Sequence, residues 1–195
     1  PQHRRIGHRP GLIGNVYEGL VARDEHNQVV PAIAKTWDVS DDGTTYTFHL
    51  NDGMTFSNGD KLDADDVAWS INELVTKQYH DADSLVNFVS VKASDPNTVE
   101  LKLSAPYANL LWVLTGRPGL VFDKDAKYDA KTQAIGSGPY TVEKFVTNSS
   151  ITLKANPNYW GANKANPNYW GANKAKTDTV VVRYFTDDNA AVNAL

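Results

Sequence analysis

The chain has 195 residues, a formal charge of -4, 41% hydrophobic and 22% charged residues, which is the composition of one or two ordinary globular domains. Five Trp, nine Tyr and six Phe supply enough apolar surface to offset chain entropy, so disorder throughout is excluded. With no cysteine, the chain also excludes disulfides, thiolate nucleophiles and Cys-ligated metal, and no apolar run reaches the roughly 18 residues that span a bilayer.

Charge is uneven along the chain. The first ten residues carry Arg4, Arg5 and Arg9 and no acid, so the remainder holds three charges more than the total of -4, or -7. An acidic body argues against nucleic acid as the main partner, because phosphate binding needs a concentrated positive face. The basic tip reads either as a solvated terminus or as a cleft-lining segment that meets an anionic group. The opening Pro1-Gln2-His3-Arg4-Arg5 does not read as a signal peptide.

In chain order, Gly11 to Arg23 spaces Leu12, Ile13, Val16, Leu20 and Val21 as a short helix running into a strand. Asp24 to Asn27 is a turn, Pro31 to Lys35 a short apolar turn, and Ser40 to Gly43 another turn. Thr44 to Leu50 alternates, with Tyr46, Phe48 and Leu50 on one face and His49 on the solvent face. A helix over 63–77 starts at Asp63 as N-cap, with Asp65 and Asp66 in its first turn and Val67, Ile71, Leu74 and Val75 as its stripe. A capped start explains these acids better than calcium, since no EF-hand spacing is present. Val89 to Ala93 and Thr98 to Leu103 form a hairpin, Ala108 to Leu114 a helix broken at Gly116 to Gly119, and Tyr140 to Val146 with Ile151 to Lys154 a second hairpin. Thr179 to Phe185 is a strand, and Asp187 to Leu195 begins a helix. Trp37, Trp69 and Trp112 are expected in the core rather than as ligand platforms.

Residues 155–164 read ANPNYWGANK, and residues 165–174 repeat them without change. Two short identical copies are a local duplication rather than a solenoid. One Tyr-Trp pair is expected to pack on the body, leaving the other exposed or seeking a partner molecule.

The order of NVYEGLVARD, VVPAIAKTWDVSDDGTTYTFHLNDGMTFSNGDKLDADDVAWSIN, IGSGPYTVEKF and NPNYWG resembles the peptide/nickel class of extracellular solute-binding proteins that feed ABC importers. The resemblance implies an α/β fold: the mixed-sheet first lobe of a periplasmic-binding-protein-like architecture (class II, cluster C), truncated. It divides the chain into a lobe start at 1–35, a lobe body at 36–154, the duplicated loop at 155–174, and a strand and helix start at 175–195 leading toward a second lobe. It implies capture of short peptides or, alternatively, of a nickel or other metal chelate, with a membrane ABC permease as partner. The expected location is the periplasm or, for a lipoprotein, the cell surface. A lone lobe is expected to bind weakly, because such ligands are buried from both sides, and its bared face invites self-association. No cofactor and no bound metal are expected.

The site residues follow from chemistry and from the resemblance. Arg117 stands in the Gly/Pro-rich loop Thr115 to Gly119, and a guanidinium there can grip a carboxylate through two parallel hydrogen bonds; in metal-chelate members of the resembling class, an Arg in a similar Arg-Pro loop meets ligand carboxylates. Tyr79 and His80 follow the helix in a loop that lies near the cleft in similar proteins. Arg5, Gly7 and Arg9 match a segment that lines the cleft and meets the peptide main chain in peptide-binding relatives. Ser137, in Gly136-Ser137-Gly138-Pro139-Tyr140, belongs to a tight turn near the cleft. That turn fits neither GxxxxGK[ST] nor GxSxG. The rival enzyme reading is a hydrolase using Ser137, for which no motif places a base beside the hydroxyl, so the chain is read as a binder and not an enzyme.

Overall fold

The computed structural model describes residues 14–129, 133–147, 149–163 and 177–184. Residues 14–16 are helical and lead into a small hairpin of β1 (Val21–Arg23) and β2 (Val29–Pro31). The Asp24 carboxylate closes the turn by accepting from the His26 and Gln28 amides, and Asn27 takes φ 60°, a conformation its short polar side chain tolerates. The expected apolar turn at Pro31 to Lys35 is instead the end of β2 and the start of β3 (Ala34–Val39). β3 is an edge strand with a register shift between Ala34 and Thr36. Both of its faces are largely wet, so no alternation marks it.

The main sheet runs β3-β4-β6-β5, with β4 (Thr45–Leu50), β5 (Phe88–Asp95) and β6 (Thr98–Leu103). Alternation in β4 and β6 has the expected cause. Tyr46, Phe48 and Leu50 share an inner face with Val99, Leu101 and Leu103, and the register sets Phe48 opposite Val99 and Tyr46 opposite Leu101. Each of these buried apolar side chains contributes about 1.5–3 kcal/mol relative to exposure.

Helix α1 (Ala64–Thr76) packs across β5 and β6. Asp63 caps it through the Asp65 amide, and Asp66 reaches back to the Asp63 amide, which completes a capping box. Val67, Ile71 and Leu74 are buried by helical spacing. Trp69 is two residues from both Val67 and Ile71 and therefore lies on the opposite side; it is 38% exposed. Helix α2 (Leu110–Leu114) repeats the pattern: Leu110 and Leu114 are buried and Trp112 between them is 44% exposed. The core placement expected for Trp69 and Trp112 is thus corrected by helical periodicity. Trp112 instead carries the Arg23 guanidinium 4.6 Å above its ring, and Trp37 is partly buried against the core.

A second sheet, β7-β8-β9, comprises β7 (Tyr140–Val146), β8 (Ser150–Ala155) and β9 (Thr179–Arg183). Its inner residues Ile151 and Leu153 pack with Val16 and Tyr17 in a smaller cluster. Every ladder among the described residues is antiparallel, so the parallel pairs of a mixed sheet are not among them. Tyr159 and Trp160 leave the end of β8 yet belong to the main core, tying the two sheets together. The helix expected from Asp187 and the second Tyr-Trp pair, Tyr169-Trp170, lie outside the described residues.

Candidate functional site

Two loops meet at a carboxylate. The first follows α1: Lys77 caps the helix, Gln78 turns at φ 50° and Asp81 at φ 72°, and a 3-10 turn spans Ala82–Ser84. The second follows α2, where a 3-10 turn spans Arg117–Gly119. Asp81 lies between them. One of its oxygens is 2.6 Å from His80 Nδ1 and the other is 3.7 Å from Arg117 Nη1. An imidazole, a carboxylate and a guanidinium, the last 36 residues from Asp81 in the chain, therefore share one surface.

The Arg117 turn is held from behind. The Leu20 amide donates to the Gly119 carbonyl at 2.7 Å, the Val121 amide donates to the Glu18 carbonyl at 3.1 Å, and Gly19 bridges Leu120. Gly119 has no room for a side chain: a Cβ there would sit 1.8 Å from the Leu114 carbonyl oxygen. The Tyr-Glu-Gly-Leu stretch at 17–20 thus fixes the backbone that presents Arg117. The guanidinium itself stays partly open, with 30% of its side chain exposed. A guanidinium anchored by its loop and partly open to solvent is suited to a second carboxylate partner.

Tyr79 is split in role. Its ring packs against the core, its hydroxyl donates to Glu73 Oε1 at 3.5 Å, and burial together with the Glu73 charge pushes its phenol pKa up. His80 is exposed, with two-thirds of its side chain in solvent. The structure therefore brings Tyr79, His80 and Arg117 into one neighbourhood through Asp81, a residue that sequence reasoning missed. The available signal was an acid directly after an aromatic-His pair in a loop leaving a helix.

Ser137 is not part of this surface. It is fully buried, and its Oγ meets no hydrogen-bond partner. Its flanking glycines are pressed on the chain at Val16: a Cβ at Gly136 would fall 2.0 Å from the Val16 carbonyl oxygen, and one at Gly138 2.6 Å from that of Asn15. The Gly138 amide donates to Val16 and the Ser57 amide donates to Gly136. The turn expected here is thus a structural weld, and a hydroxyl with no exposed area does not touch a ligand in this conformation. Among the described residues, its Oγ also meets no adjoining base of the kind an activated nucleophile requires. Arg5, Gly7 and Arg9 lie outside the described residues.

A buried acid was also missed. Glu18 is 2% exposed and its Oε1 accepts a 2.5 Å hydrogen bond from the Tyr159 hydroxyl, 141 residues away. This long-range bond secures the 17–20 stretch behind Arg117.

Residues 28–195 match the profile of the bacterial extracellular solute-binding proteins, family 5, middle region. Among curated proteins, the chain is similar to the nickel-binding periplasmic protein of Escherichia coli (strain K12), 32% identical over 154 residues covering 75% of this chain and 29% of that protein. It is equally similar to the dipeptide-binding protein of the same organism, 32% over 162 residues, 69% of this chain and 30% of that one. Among solved structures, NikZ from Campylobacter jejuni in complex with Ni(L-His) superposes with a TM-score of 0.79 at 26% identity, over 93% of this chain and 36% of NikZ. The chain spans about a third of the length of these relatives.

Proposed function

Because the chain belongs to the bacterial extracellular solute-binding proteins of family 5, we propose that it is part of the substrate-binding component of an ABC importer and that its protein captures short peptides in the periplasm. The observation that carries the reading is the joining of the Tyr79-His80-Asp81 loop to the Arg117 turn. Arg117 grips a ligand carboxylate, Tyr79 offers an aromatic edge, and His80 and Asp81 supply a mixed-charge rim that suits a zwitterion carrying both an ammonium and a carboxylate. No bond-breaking step is assigned: the protein binds and releases. Delivery requires a membrane permease as partner. The second reading, a metal chelate held through its carboxylates, uses the same Arg117 and is supported by similarity to a nickel-binding protein and to NikZ, solved with Ni(L-His).

Titration calorimetry tests both readings, with a di- and oligopeptide panel and separately with nickel plus a carboxylate chelator. Saturable heat with peptides that drops at least tenfold in affinity in Arg117→Ala is the expected result, since a lost bidentate charge pair costs more than 1.4 kcal/mol. Binding that is indifferent to Arg117→Ala overturns the site. Heat with the chelate alone selects the second reading, and no heat with any ligand removes binding from this chain.

A further inference from the structure

The duplicated decapeptide meets a receptor built for one copy. The first copy is seated residue by residue. The Ala155 amide donates to the Asp178 carbonyl, the Asn156 amide to the Pro139 carbonyl at 2.8 Å, and Asn156 Nδ2 to the Gly138 carbonyl at 3.0 Å. The Asn156 side chain then accepts from the Asn158 amide, and the Asn158 carbonyl accepts from Thr55 Oγ1. Tyr159, 4% exposed, donates to Glu18, and Trp160, 5% exposed, enters the main core with its ring 6.1 Å from that of Tyr159. This is a defined socket, with the Gly138 carbonyl that selects an amide side chain, a buried carboxyl group that selects a phenol, and an apolar slot that takes an indole.

Each selected group recurs in the same order at Asn166, Asn168, Tyr169 and Trp170, and the preceding residue is Lys both times, Lys154 and Lys164. No contact of the socket distinguishes the two copies. Only the connections differ. Seating the first copy leaves ten residues to spend before β9, whereas seating the second leaves ten to spend after β8. Loop-closure entropy changes slowly with length, so this transfer changes free energy far less than losing the socket's contacts would. We propose that the socket formed by Glu18, Thr55 and the Gly138-Pro139 turn is a binding site specific for one Asn-Pro-Asn-Tyr-Trp element, and that residues 165–171 compete in cis with residues 155–161 for it. The chain then has one fold in two registers, and a lesion in either copy is covered by the other. The inference does not depend on ligand binding.

The test uses the 195-residue chain labelled with 5-fluorotryptophan. A 19F resonance shielded from a water-soluble paramagnetic quencher reports the socketed indole. Exchange predicts that this signal persists in Trp160→Phe and in Trp170→Phe and disappears only when both are replaced. Its loss in Trp160→Phe alone overturns the proposal. Thermal midpoints give a second readout, with Tyr159→Phe and Tyr169→Phe each shifting the midpoint by under about 2 °C and the double variant by about 6 °C or more. A Tyr159→Phe loss equal to that of the double variant, with Tyr169→Phe silent, also overturns it.

Discussion

Gly119→Ala isolates the backbone that presents Arg117. The substitution adds one methyl group, which would stand 1.8 Å from the Leu114 carbonyl oxygen and 2.7 Å from its carbon. Real Cβ contacts begin near 3.0 Å, so the gap must open by about 1 Å, and the obstructing atoms are helix backbone rather than a yielding side-chain tip. Opening it moves the end of α2 against a turn already tied by the Leu20 and Val121 amides. Overpacking of this kind costs about 1–3 kcal/mol, and here the upper end applies because two backbone segments must separate. Urea denaturation followed by far-UV circular dichroism should show a lower midpoint with an unchanged slope. If the chain retains a detectable ligand, affinity should fall together with stability, since the same turn carries Arg117. A variant within 0.5 kcal/mol of wild type, a margin typical of neutral surface changes, would refute the claim that this contact shapes the turn.

Two further outcomes follow from local chemistry. Asp63→Ala removes the N-cap of α1 and should cost about 0.5–2 kcal/mol, whereas Asp63→Asn should recover most of it; equal losses in the two would refute a capping role, read by the same urea assay. Asp66 is buried, and desolvation holds its carboxyl above the ordinary aspartate range despite the bonds it accepts from the Asp63 and Lys124 amides. Its contribution to stability is therefore fully present below the unfolded-state pKa of about 3.9 and is lost as pH rises through the higher folded value. Asp42 and Asp95 behave oppositely: bonds from Ser40 and from the Asn97 amide, respectively, lead the causes that lower their values, so their contribution fades as pH falls through the folded pKa. Carboxyl-carbon NMR titration checks the order, and an Asp66 midpoint at or below that of Asp42 contradicts it.

Strands with one wet face were readable because alternation is local. Tyr46-Phe48-Leu50 and Val99-Leu101-Leu103 announced β4 and β6, and Asp63 with its following acids announced α1. The edge strand β3 escaped because both faces are wet and its register is broken. Trp69 and Trp112 were misjudged by residue type where helical phase would have placed them correctly. At the candidate site, Arg117 and the Tyr79-His80 pair were visible as residue types in loops. Asp81 was not, because its importance lies in the partners it meets rather than in any motif it completes.

By itself the order of residues determined the family, the identities of most strands and helices, and the presence of two identical decapeptides. Tertiary structure alone decided that one carboxylate joins His80 to Arg117, that Ser137 is entombed, and that the first Tyr-Trp pair closes on Glu18. The reason is range. Periodicity and capping act within a few residues, where sequence spacing is physical distance, whereas a contact spanning 141 positions exists only after both sheets have packed.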